Sequence, residues 1–170
     1  YSIPDDENAM YGFRSAMTLY VQPTPEAREL RDEIGIGRLR LPNDVMDQFL
    51  KDNEPALFVW KQATEMEESL YIPAREYDLS VSLDLVQDLR EVQRTVMLLC
   101  HKLQSEGKTQ EAGEWYRSAL RASRHIGKNG GLIERLVGIT CFQHTAVGLT
   151  EWAAVPDLTS EDLKIVHHQI

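Results

Sequence analysis

Cys141 and His144 stand one helical turn apart, and Glu151 follows seven residues after His144, on roughly the same helix face. A thiol, an imidazole and a carboxylate on one face are the ingredients of a metal site or of acid–base chemistry. His101, Cys100 and Glu134 are further groups of that kind. A closed zinc site needs about four such ligands, and only Cys141 and His144 are paired by spacing. The expected state of the pair is therefore a buried thiol beside a hydrogen-bonded histidine. His125, at the end of its own helical stretch, suits the role of satisfying terminal carbonyls. His167 and His168 fall near the end of the chain.

Other catalytic signatures are missing from the sequence. It contains no Gly-x-Ser-x-Gly elbow, no Gly-x-x-x-x-Gly-Lys-Ser/Thr phosphate loop and no His-Glu-x-x-His. Gly35-Ile36-Gly37-Arg38-Leu39-Arg40 starts like a dinucleotide loop, but Arg40 stands where the third glycine belongs. Ser118, Ser123 and Thr140 lack an Asp–His partner at an interpretable spacing, which leaves nucleophilic catalysis without support. No catalytic residue and no cofactor is expected, and the chain reads as a non-enzyme.

Charge points to a surface instead. Arg117, Arg121 and Arg124 are spaced four and three apart and form one basic stripe on a helix. Such a stripe suits docking of an acidic peptide, or of this chain's own acidic half. Residues 1–84 hold 17 acidic and 8 basic side chains, and residues 85–170 hold 10 of each, so the net charge of −9 belongs to the first half. An acidic balance disfavours nucleic acid and anionic lipid, both of which are held by Lys and Arg. The expected partner is a protein.

The elements that position these residues are helical. The chain of 170 residues is 42% hydrophobic and 26% charged, values ordinary for a soluble globular domain. No apolar run is long enough to span a bilayer. Met10, Phe13, Met17 and Tyr20 recur at spacings of three and four. Pro23 ends that helix, and Pro25 starts a short polar one. Asn43 or Asp44 caps a helix carrying Met46, Phe49 and Leu50, and Asn53-Glu54-Pro55 opens another with Trp60 and Ala63 inward. Residues 70–81, with Tyr71, Pro73 and Tyr77, read as a loop and as the boundary between an acidic N-terminal part, 1–81, and a C-terminal part, 82–170, of a single helical domain.

In the C-terminal part Leu85, Leu89, Val92, Val96, Leu99 and Leu103 make a long seam at alternating spacings of four and three. Gly107 suits a left-handed cap. Ala112, Trp115, Tyr116, Ala119 and Ala122 mark the inward face of the next helix. Leu132–Trp152 is apolar on nearly all sides and is expected to be the central, buried helix. Thr159-Ser160-Glu161-Asp162 reads as a capping box. Both cysteines are expected to be free and buried, with a disulfide as the alternative in an oxidising compartment.

Within Leu99–Leu120, the order Gly107, Ala112, Tyr116, Ala119, Leu120 resembles a tetratricopeptide hairpin, at about residues 93–126. A small residue admits the partner helix, and an aromatic one turn on fills the gap beyond it. The match covers one helical pair, and no second copy follows at the period of about 34 residues. More broadly, the order of Asn8-Ala9, Asn53-Glu54-Pro55-Ala56-Leu57, Ser123-Arg124-His125, Leu132-Ile133, Leu136-Val137-Gly138-Ile139 and Leu158-Thr159-Ser160-Glu161-Asp162-Leu163 resembles a group of uncharacterised bacterial helical proteins, often exported or membrane-anchored. That resemblance implies an all-α fold and an envelope setting, with no activity attached. The fold expected is an irregular helical bundle or short α-solenoid of antiparallel hairpins. The function expected is a non-catalytic protein–protein interaction or scaffold domain, which the resemblance would set in a bacterial envelope-associated complex; the alternative is a metal-binding protein or enzyme with a site near Cys141, His144 and Glu151.

Overall fold

The computed structural model describes residues 3–35, 43–70, 79–156, 158–160 and 163–164. The loop glycine Gly37 with Arg38 and Arg40, the segment of Tyr71, Pro73 and Tyr77, Glu161-Asp162 of the capping box, and His167-His168 lie outside them. The described residues form seven α-helices and no strand: α1 (Ala9–Leu19), α2 (Pro25–Gly35), α3 (Asp44–Asp52), α4 (Glu54–Thr64), α5 (Leu79–Ser105), α6 (Thr109–Gly127) and α7 (Leu132–Ala153). The protein is all-helical.

Local chemistry sets the helix ends. Asn8 caps α1, its side-chain oxygen accepting from the Met10 amide at 3.1 Å. The same side chain pairs with both backbone groups of Leu70, at 3.0 and 3.1 Å, tying the start of α1 to the segment after α4. Asn43 caps α3 by accepting from Val45 and Met46. Asn53 makes no side-chain cap for α4. It is fully buried instead, and its amide pairs with both backbone groups of Val21, at 2.9 and 3.1 Å. Gly107 turns α5 into α6 at φ 73°, the left-handed conformation that only glycine adopts without strain.

One hydrophobic cluster joins the two halves. Phe13 of α1 lies 5.7 Å from the Trp60 ring of α4 and 6.1 Å from the His125 ring of α6. Short links make α5, α6 and α7 successive antiparallel neighbours. Consequently α5 and α7 run parallel, side by side.

α7 is not the central buried helix its composition suggests. Its inner face is Glu134, Gly138, Cys141, Thr145, Gly148 and Trp152, at alternating spacings of four and three. Leu132, Leu136, Ile139, Phe142 and Val147 face outward and are exposed. The reason is close approach. A Cβ on Gly138 would lie 2.7 Å from the Ser123 carbonyl oxygen and 3.0 Å from the Gly127 nitrogen, both backbone atoms of α6. The small stripe lets the two backbones nearly touch, and the bulky residues are left on the far side. Ile139→Lys should therefore change stability by no more than about 0.5 kcal/mol. A urea midpoint displaced by several times that amount would mean the residue is buried.

Candidate binding groove between α5 and α7

The parallel pair encloses a groove of about 350 Å³. Its α5 wall is Arg90, Gln93, Arg94, Met97, Leu98 and His101, which recur at helical spacing. Its α7 wall includes Thr140, Cys141, His144, Val147 and Glu151. Arg31 and Asp32 of α2 close one end. The structure thus brings Cys141, His144, Glu151 and His101 to one cleft, as their spacing allows. Cys100, fully buried, and Glu134 do not line it.

Burial decides what Cys141, Cys100 and His101 can do, whereas His144 and Glu151 are exposed. Burial pushes the Cys141 thiol up to about 11, and Arg90 and Arg94 offset only part of that. The sulfur is therefore a neutral thiol near pH 7, a poor nucleophile and not a ready metal ligand. Burial also raises the Cys100 thiol, and both cysteines are free. Burial holds His101 below the usual histidine range, with Glu151 acting the other way. Among the described residues no three His, Cys, Asp or Glu side chains form a metal-holding cluster.

The α2 end is dominated by guanidinium groups. Arg31 is 4% exposed, and its terminal nitrogens pair with Glu91 at 2.9 Å and Asp32 at 3.5 Å. Arg94 meets the other oxygen of Glu91 at 2.9 Å. Burial alone would raise the Glu91 carboxyl, but the Arg31 hydrogen bond and charge, helped by Arg94, hold it below the usual range. Arg90 donates to the Gln87 amide oxygen at 2.9 Å rather than to a carboxylate.

Two polar atoms in this lining are buried without a partner among the described residues: Arg31 Nε and Gln93 Oε1. The Gln93 amide nitrogen is fully used, donating to the Ala119 carbonyl at 3.2 Å and to Thr145 Oγ1 at 2.9 Å. That fixes the amide with its oxygen buried and without a donor. An unsatisfied buried polar atom costs about 1–3 kcal/mol. Both residues line the cleft, so a polar occupant that reached these two atoms would satisfy them.

The basic stripe on α6 lies elsewhere. Arg117 meets Glu65 Oε1 at 3.3 Å, and Arg121 meets Glu65 Oε2 at 2.8 Å and the Glu65 carbonyl at 3.3 Å. Of the two acidic groups expected on this stripe, the chain's own N-terminal half supplies the one found. Arg121 and Arg124 also line a second recess, with Met66, Glu67, His125 and Lys128.

His125 does not cap its own helix. It is 7% exposed, its ring hydrogen-bonds the Thr64 backbone, and the last α6 carbonyls accept from the Lys128 amide instead. Burial, helped by the charges of Arg121, Lys128 and Arg124, pulls its pKa down to about 4. The folded state prefers the neutral ring, whereas the unfolded chain takes its proton near pH 6.5. Stability should fall as pH drops from about 6.5 towards 4 and level off below, a loss of about 3 kcal/mol from this group. Urea midpoints between pH 7 and 4 check this: the slope should shrink in His125→Gln, and an equal slope in both chains would refute it.

Sequence reasoning named much of the α7 wall and missed Arg31, Arg90, Gln93 and Arg94. The available signal was the mixed polar stripe that Arg90, Arg94, Met97 and His101 form on α5 beside its apolar seam. Compared with known proteins, the chain matches no family model, no curated protein and no solved structure.

Proposed function

We propose that this chain is a non-catalytic protein-interaction domain that holds a segment of a partner protein in the α5–α7 groove. The observation that carries the reading is the pair of buried, unpartnered groups in the groove lining, Arg31 Nε and Gln93 Oε1. A polypeptide backbone offers both an acceptor for the first and a donor for the second. The tetratricopeptide-like order of small and aromatic residues in α5 and α6 agrees with it, because stacked helical hairpins present concave binding surfaces. The resemblance to exported bacterial proteins suggests an envelope-associated complex as the setting. In this reading the Arg117–Arg121–Arg124 stripe serves chiefly to hold the acidic half in place.

A metal or catalytic centre at Cys141, His144 and Glu151 has less behind it, since the thiol is held neutral and the ligands do not cluster. Elemental analysis of the purified protein separates the two: near-stoichiometric metal, lost in Cys141→Ala and His144→Ala, would favour the centre.

Random peptides displayed on phage and selected on the native chain test the interaction reading. Val147 lines the groove and is 63% exposed, so Val147→Trp obstructs the groove without disturbing the core. Selected peptides should lose at least tenfold in affinity for Val147→Trp. Undiminished binding to that variant would contradict the reading.

A further inference from the structure

The two ends of the groove carry opposite charge, and from this the geometry points to its occupant: an extended segment of about five residues, with an acidic side chain at one end, apolar side chains between and a basic side chain at the other. This rests on the groove being the recognition surface and adds what it recognises.

At the α2 end three guanidinium groups, Arg31, Arg90 and Arg94, outnumber the carboxylates of Asp32 and Glu91 beside them. Glu91 engages Arg31 and Arg94, but Arg90 is held by the neutral Gln87 amide. At the far end stands Glu151, exposed, with no ion pair to a Lys or Arg among the described residues. Its neighbour in the lining is His101. One end therefore offers a guanidinium that lacks a carboxylate, and the other a carboxylate that lacks a cation.

The spacing sets the length. Arg90 and His101 on α5, and Thr140 and Glu151 on α7, each lie eleven positions apart, or about 16 Å along the helix axis. An extended chain rises about 3.3 Å per residue, so about five residues bridge the ends. Met97, Leu98 and Val147 lie between and provide an apolar middle. A segment that reached the buried Gln93 Oε1 and Arg31 Nε would give the first a backbone N–H and the second a carbonyl or carboxylate. A ligand with two acidic ends would meet Glu151 and be repelled, and one with two basic ends would meet the arginines.

The test uses fluorescein-labelled pentapeptides with blocked termini and the full chain, read by fluorescence anisotropy at low and high salt. Four peptides share three central leucines and carry Asp first and Lys last, Lys first and Asp last, Asn at both ends, or Asp at both ends. One of the two dipolar peptides should bind at least tenfold tighter than the Asn and double-Asp peptides at low salt, and lose that margin at high salt. Arg90→Glu and Glu151→Lys should each weaken it at least tenfold. The double variant Arg90→Glu/Glu151→Lys should reverse the order of the two dipolar peptides. Equal binding of the Asn and dipolar peptides, unchanged binding by both single variants, or no binding by any peptide overturns the inference. The underlying reading is judged separately: Asn-peptide binding that is lost in Val147→Trp leaves the groove as the surface and removes only the charge clamp. Dipolar binding that Val147→Trp leaves intact removes both.

Discussion

Trp152→Ala should cost about 4 kcal/mol of folding stability, the usual loss for a large ring removed from a core. The indole is 1% exposed and lies 6.4 Å from the Tyr116 ring, centroid to centroid. It covers Gly113 so closely that a Cβ there would sit 2.7 Å from the Trp152 ring. Its Nε1 donates to the Thr109 carbonyl at 2.9 Å, at the very start of α6, where α6 has no side-chain cap. One side chain thus pins the end of α7 to the beginning of α6. Trp152→Phe keeps much of the apolar contact and loses the hydrogen bond, so it should cost about 1–2 kcal/mol less than the alanine variant. Urea unfolding of the three chains measures both differences. An alanine variant within 1 kcal/mol of the native chain, well under the ordinary cost of such a cavity, would show that the ring is not packed between these helices.

Gly138→Val should cost about 3 kcal/mol, towards the upper end for a residue forced into filled space. The atoms that its Cβ would meet belong to the α6 backbone, the Ser123 oxygen at 2.7 Å and the Gly127 nitrogen at 3.0 Å, so no rotamer change relieves the contact. The two helices would have to part, and with them the α7 wall of the groove. Gly127→Ala is the matched control, because a Cβ there meets only the Arg135 Cα at an ordinary 3.7 Å. It should be nearly neutral. Equal unfolding midpoints for Gly138→Val and Gly127→Ala would refute the close approach of α6 and α7.

These two residues also show what the sequence could and could not convey. The α5 seam is legible because its large residues repeat at a single helical period, and Leu89, Val92, Val96 and Leu103 are indeed buried. Gly107 is legible because its left-handed turn admits few other residues. α7 is different. With apolar residues all round, periodicity carries no directional information, and the inner face is chosen by which residues are small enough to let backbones meet. Trp152 and Gly138 are both inside, while Leu136 and Ile139 are outside, against the order of hydrophobic size. α5 starts at Leu79, inside the stretch 70–81 that reads as a loop, which shows the same limit, since the first turns of a helix need not carry the apolar repeat.

The groove was half legible. Cys141, His144 and Glu151 attract notice because their types are chemically capable, and their spacing on one helix places them along one wall. Arg31 lies far away in sequence, on a helix that reads as short and polar, yet its guanidinium is buried against α5. Nothing local to α2 announces that. Gln93 interrupts an apolar seam and is held there by Ala119 and Thr145, partners from two other helices. Such groups become visible only once the helices are packed. The Arg117–Arg121–Arg124 stripe is the reverse case: its spacing is plain in the sequence, and in the fold Arg117 and Arg121 meet Glu65 of the same chain.

Amide chemical shifts of the isotopically labelled chain, recorded as a selected groove peptide is added, test the central claim most directly. The account predicts shifts concentrated in residues 90–101 of α5 and 140–151 of α7, with Arg31 among them. Shifts gathered instead on Glu65, Arg117, Arg121 and Arg124, with the α5 and α7 amides still, would contradict it.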